Sequence, residues 1–281
     1  MPPRPDHVTL ARGDIELTID PAHGARAVAW RVGDDELLAH RSSDPVEHGM
    51  YPMAPWAGRL RGNAVDFGGR SHRLPVTYES WALHGTVLGR ECSSLSVDPD
   101  GAGVSATFDS HAEWPWPIAV DVTWRVVESA VEASILVRSL GEPCPVVVGW
   151  HPWFRRHLGS GGPAQWQLPA TARLVRGDDH LPTGESVSFD PAAGPFDDAF
   201  LVPSGHAQVR WPGALEIDVT SDGTWFVVFD EPSDVLCVEP QSGPPDGLRD
   251  RDRPSAFGPV SVAAPGHPVG IATRWAIRRP G

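Results

Sequence analysis

The chain has 281 residues, and all 23 of its basic side chains are Arg, so lysine Schiff-base chemistry and Walker-type phosphate binding by lysine are excluded. Its 36 acidic residues leave a net charge of −13, which argues against a nucleic-acid partner, and no stretch of about 18 apolar residues offers a membrane span. Three widely spaced cysteines (Cys92, Cys144 and Cys237) fit a reducing cytoplasm, and the polar start Met1-Pro2-Pro3-Arg4-Pro5-Asp6 lacks the apolar region of a signal peptide.

With 29 Gly and 30 Pro, long helices are disfavoured, and no helix of more than two turns is expected. The dominant hydrophobic period is two. Ile15, Leu17 and Ile19 alternate with polar partners, as a half-buried strand does. Residues 25–31 and 36–39 follow as strands around the turn Val32-Gly33-Asp34-Asp35, and residues 103–108 follow Asp98-Pro99-Asp100-Gly101. Val120, Val122, Trp124 and Val126, then Val131, Ala133, Ile135 and Val137, predict a hairpin that turns at Glu128-Ser129-Ala130. Residues 145–150, 207–211, 215–220, 224–229, 235–239 and 270–277 complete the predicted strands, and the Pro-rich residues 190–195 read as a long loop. Many short strands separated by turn clusters predict a large antiparallel β-sandwich. No repeat or low-complexity linker divides the chain, so a single domain over 1–281 is expected, with its core at about 14–277.

Gly101-Ala102-Gly103-Val104-Ser105-Ala106 matches a dinucleotide-binding glycine pattern, but a turn precedes it and a β pattern follows, so a hairpin is expected. The alternating run Arg249-Asp250-Arg251-Asp252-Arg253 reads as a solvated loop. No His-Glu-x-x-His, Cys-x-x-Cys or EF-hand pattern occurs, so no metal ligands are assigned. Four segments combine Pro/Gly turns, aromatics and an ionisable group at a strand end. Arg59 emerges from the loop of residues 51–63, a rigid fork of donors. His84 precedes Gly85, where the backbone can bend sharply. An apolar strand delivers His151 between Trp150 and Trp153, and another ends on Glu239-Pro240. A carboxylate at the end of an apolar strand must be paired or used.

In order, these segments resemble the aldose 1-epimerase (galactose mutarotase) family. The matching pieces are Gly24-Ala25 ahead of a strand, Pro55-x-x-Gly58-Arg59-Leu60, Leu83-His84-Gly85, Gly149-Trp150-His151-Pro152-Trp153-Phe154, Asp197-Asp198-Ala199-Phe200, and Val238-Glu239-Pro240 with Pro244-Pro245. The resemblance implies the family's β-supersandwich and an acid/base reaction on a sugar without a cofactor. It implies Glu239 as general base and His151 as general acid, His84 assisting at the ring oxygen, and Arg59 and Asp197 holding hydroxyls, with Asp198 as the alternative if the register differs by one. Gly58 stands where many members carry Asn, and the His-Pro-aromatic-Phe form is similar to divergent branches that include hexose-phosphate epimerases.

The expected function is interconversion of the α and β anomers of a free hexose, with Glu239 ionised and His151 protonated at the start. A hexose-6-phosphate 1-epimerase, using Arg59 and Arg61 with Arg155 or Arg156, and a non-catalytic carbohydrate-binding protein are the alternatives. Trp56, Trp81, Trp150 and Trp153 are candidates to stack on sugar, with fewer than half expected to touch it. The expected partner is a small sugar only, with no nucleic acid and no membrane, and the chain acts as a monomer or homodimer in the cytoplasm.

Overall fold

The computed structural model describes residues 6–110 and 112–279, so Met1–Pro5, where the expectation of no signal peptide was placed, lie outside the described residues. Among the described residues the period-two segments form two large antiparallel sheets. The larger, twelve-stranded sheet runs in the order Val8–Arg12, Ile15–Asp20, Arg26–Val32, Met50–Met53, Gly149–Pro152, Val235–Gln241, Trp225–Phe229, Asp197–Leu201, Ala172–Arg176 and Pro182–Val187, with two short strands off this path. The eight-stranded sheet is built around Leu215–Ser221, Val269–Arg278, Ala130–Ser139, Ile118–Val127 and Gly103–Phe108.

Alternation explains how the sheets meet. In Ile118–Val127 and Ala130–Ser139, buried and half-exposed positions alternate, and register pairs such as Val122 with Ile135 put one apolar face inward. That face receives Trp150 from the larger sheet, whose ring centroid lies 4.5 Å from Trp124 and 6.0 Å from Trp275 of the smaller one. Trp124 Nε1 donates to the Ala25 carbonyl at 2.8 Å, so this ring has a polar partner inside the core. Because neighbours on a strand point to opposite faces, Trp150 in the core sends His151 to the outer face of the larger sheet.

The strand Gly103–Phe108 after its turn and, among the described residues, four single-turn 3-10 helices agree with the sequence reading, as does the hairpin, whose turn is one residue shorter than expected because Ala130 already pairs with Val127. Three expectations are corrected. Residues 145–150 are not one strand. Cys144–Pro145 pairs with Val262–Ala263, Gly149–Pro152 joins the large sheet, and the amides of Val146, Val147 and Val148 between them donate to Ser261, Pro55 and Ser242 Oγ instead of to a ladder. Of residues 36–39 only Glu36 is in a strand, and its carboxylate takes the amides of Trp30 and Leu38 at 2.9 Å each. The run 249–253 is a loop but not wholly solvated, because half-buried Arg253 clasps the carbonyls of Gly247, Arg249, Phe257, Gly258 and Pro259. Among the described residues no helix is long and apolar enough to cross a membrane.

Candidate active site

Three adjacent strands make the floor of a pocket on the outer face. His151 lies opposite Tyr51 on the Met50–Met53 side, and Gly149 lies opposite Gln241 on the Val235–Gln241 side. Gly149 is required there, since a Cβ would stand 2.7 Å from Gln241 Cγ and 2.9 Å from the Pro240 carbonyl. The close approach of the strands brings His151 Nε2 to 3.2 Å from Glu239 Oε1, with both side chains buried. Gln241, on the same strand face as Glu239, donates its amide to Oε2 at 3.2 Å. The imidazole is stacked between Tyr51, at 4.8 Å, and Trp153, at 5.0 Å. Both walls are anchored on one acceptor, the Val46 carbonyl, by Tyr51 Oη at 3.0 Å and Trp153 Nε1 at 2.8 Å.

The Pro-rich loop and the Leu83-His84-Gly85 turn build one side. Gly58 donates its amide to His84 Nδ1 at 3.3 Å, and the His84 amide donates back to the Gly58 carbonyl at 3.2 Å. An amide can only donate, so Nδ1 is the acceptor and the neutral ring carries its proton on Nε2. The turn packs against Ala54 so tightly that a Cβ on Gly85 would stand 2.0 Å from the Ala54 carbonyl oxygen, at a φ of +82°. His84 meets the His151 ring edge to face at 5.0 Å. Arg59, paired with Leu83 across a bridge, has a buried Nε with no hydrogen-bond partner among the described residues.

The opposite side comes from Asp197–Leu201. Asp197 pairs with Phe229, Ala199 with Val227, and Val227 with Glu239, so alternation turns Asp197 toward the same face as Glu239. Its carboxylate is held by Arg176, which also reaches Glu231 at 3.0 Å, while Asp198 is held by Arg173 at 3.0 Å. Asp197 is thus the better match to the expected position.

Burial dominates the electrostatics. It pushes the Glu239 carboxyl well above the ordinary carboxylate range, and the negative Asp197 adds to this, against the Gln241 amide and Arg59. Burial also pushes the His151 imidazole down to about 3, with Arg59 adding. His84 is driven well below the usual histidine range by burial, then by His151 and Arg59. The protein surroundings therefore favour the neutral form of each partner, with one proton on the carboxyl. The pair holds one proton both in this arrangement and in the expected starting state of ionised Glu239 and protonated His151.

Glu239, His151, His84, Arg59 and Asp197 all line this one pocket, together with Asp198, Arg41, Tyr78, Trp153, Arg176 and Gln241. Of the four candidate Trp residues only Trp153 lines it; Trp56 and Trp150 are fully buried in the core and Trp81 packs against it. Arg61, Arg155 and Arg156 do not join it. Arg61 pairs with Asp179 at 3.0 Å and Asp246 at 3.5 Å, Arg155 donates to the Leu38 carbonyl, and Arg156 to carbonyls of Ala164, Asp230 and Pro232. Sequence reading missed Gln241, which the period of two places on the face of Glu239. It also missed Arg176, whose position depends on a pairing that no local pattern announces.

A model of the aldose 1-epimerase family matches residues 6–234, and the chain belongs to that family. Four of the five pocket residues lie inside the match, and Glu239 lies just beyond it. The chain is 23% identical over 281 aligned positions to the uncharacterized protein YphB of Escherichia coli (strain K12), covering 92% of this chain and 94% of that one. Its fold is similar to the crystal structure of a galactose mutarotase-like protein from Clostridium acetobutylicum, with a TM-score of 0.83 at 15% identity over 97% of this chain and 95% of that one. The GalM/aldose epimerase homologue from C. elegans superposes with a TM-score of 0.80 at 14% identity, over 98% of this chain and 99% of that one.

Proposed function

We propose that the protein interconverts the α and β anomers of a free aldose by opening and reclosing the sugar ring. The observation that carries this is the buried His151–Glu239 pair, 3.2 Å apart at the floor of a pocket walled by His84, Arg59 and Asp197. Ring opening needs a proton taken from the C1 hydroxyl and one given to the ring oxygen, and the pair needs to hold one proton to do both. Shifting that proton from Glu239 Oε1 to His151 Nε2 changes no net charge, and the unpartnered Arg59 beside the site favours the carboxylate. Glu239 then accepts the C1-hydroxyl proton as His151 delivers one to the ring oxygen. The C1–C2 bond of the open aldehyde rotates, and closure reverses both transfers. With no lysine in the chain, the aldehyde has no amine side chain to condense with and stays non-covalent. His84, with Nε2–H as donor, supports the ring oxygen, and Asp197 and Arg59 hold hydroxyls.

The cations of the pocket support a free sugar over a 6-phosphate. Arg176 is spent on Asp197 and Glu231, and Arg41 on Asp234 at 3.0 Å, which leaves Arg59 without a carboxylate partner among the described residues. Polarimetry across free hexoses and their 6-phosphates tests this. Faster anomer exchange of at least one free hexose than of its 6-phosphate is expected, and the reverse order contradicts the reading.

A further inference from the structure

Cys237 takes no part in the proton transfers described above, yet it sits two residues before Glu239 on the same buried strand face. One ligand atom each from His151, Cys237 and Glu239 lies within 4.8 Å of the others, and all three residues are buried. We propose that these three side chains form a zinc site at the floor of the pocket, and that zinc held there shuts off anomer exchange.

The ligand set is a nitrogen, a sulfur and an oxygen, the three donor types zinc accepts, and it lacks the oxygen-rich shell that calcium and magnesium need. Tetrahedral zinc at its usual bond lengths places ligand atoms about 3.3–3.8 Å apart. His151 Nε2 and Glu239 Oε1 already stand at 3.2 Å, so closure asks for a shift of at most about 1.5 Å from the Cys237 side. A thiolate and a carboxylate together cancel the charge of the divalent ion, so the filled centre is neutral, as a buried site requires. Three protein ligands leave a fourth position; two of them, His151 and Glu239, line the pocket walled by Arg59, His84 and Asp197, while Cys237 lies behind them and does not line it. Zinc in this place ties up the Nε2 lone pair and the carboxylate oxygen, and the pair can no longer accept or deliver a proton. Binding does not depend on the proposed epimerase activity, whereas the inhibition rests on it.

The test uses chelator-treated full-length protein, zinc by equilibrium dialysis and cobalt(II) as a spectroscopic probe, with Cys237→Ala and Cys237→Ser beside the wild type. We expect one zinc per chain at this site, weakened by at least about tenfold in both variants, and a thiolate-to-cobalt charge-transfer band in the wild type alone. Zinc should stop anomer exchange in the wild type, a chelator should restore it, and Cys237→Ala should stay active with zinc present. Equal zinc affinity in wild type and variants overturns the proposal, as does a cobalt spectrum without the thiolate band, since either puts the metal elsewhere, for example on the stacked His40–His48 pair. Absence of zinc binding overturns it too. If a variant does not fold, the wild-type cobalt spectrum decides by itself. Zinc bound through Cys237 in a protein that exchanges no aldose anomers keeps the site and removes the epimerase reading.

Discussion

His151 and Glu239 work as one titrating unit. A group with two proton-accepting atoms 3.2 Å apart in a buried site loses its two protons in steps that belong to the pair rather than to either residue. The proposed catalysis requires the one-proton form. That form is lost on the acid side when His151 also binds a proton, and burial holds the imidazole down at about 3. It is lost on the alkaline side when the Glu239 carboxyl, raised by burial and by Asp197, gives up its proton. The predicted kcat/KM profile of chelator-treated protein, corrected for spontaneous exchange, therefore has no acid limb in the ordinary histidine range, and its alkaline limb lies above the ordinary carboxylate range. An acid limb near about 6.5, where a solvated histidine titrates, would contradict the buried neutral imidazole.

At the scale of elements, the side chains of the candidate site are aimed by close backbone contacts. The turn Leu83-His84-Gly85 is pressed onto Ala54, with the Thr86 amide donating to the Ala54 carbonyl at 2.9 Å. Gly85→Ala would drive a Cβ into that carbonyl at a left-handed φ, so the turn must move and carry His84 with it. The expected cost is about 1–3 kcal/mol of stability together with a marked fall in kcat. Gly89→Ala, where a Cβ meets nothing within 4 Å, should be near neutral in both. Urea midpoints and initial rates on the two variants check this, and equal activity of the two would contradict a positioning role for the turn. The same scale shows where the sequence was legible. Ile118–Val127, Ala130–Ser139 and Val269–Arg278 each keep one face toward water, so their alternation is visible. Met50–Met53 and Gly149–Pro152 are buried on both faces and contain Pro52 and Pro152, so no alternation marks them, although they carry the site. The motifs around Arg59, His84, His151, Asp197 and Glu239 were legible as an ordered set. Arg176, whose partners Asp197 and Glu231 lie far along the chain, was not.

Across the whole molecule, the pocket floor rests on the junction between the two sheets. Trp30, Trp124, Trp150 and Trp275 meet there, all essentially inaccessible, and Trp150 is the residue directly before His151. Trp150→Ala should cost about 3–5 kcal/mol of stability, as removal of a fully buried aromatic does, and should lower activity by loosening the strand that aims His151. A loss below about 1 kcal/mol in denaturant unfolding would show that the sheets close without this contact. The lysine-free composition also bears on the proposed reaction, since a ring-opened sugar meets no amine side chain in this pocket. The decisive measurement for the proposed epimerase is the exchange rate between α and β anomers of free hexoses, followed by NMR with chelator-treated wild-type protein and with Glu239→Gln. Acceleration by the wild type that falls about 10²–10⁴-fold in the folded Glu239→Gln variant is predicted. Equal acceleration by the two proteins, or none by the wild type with any free or phosphorylated aldose, would contradict the account.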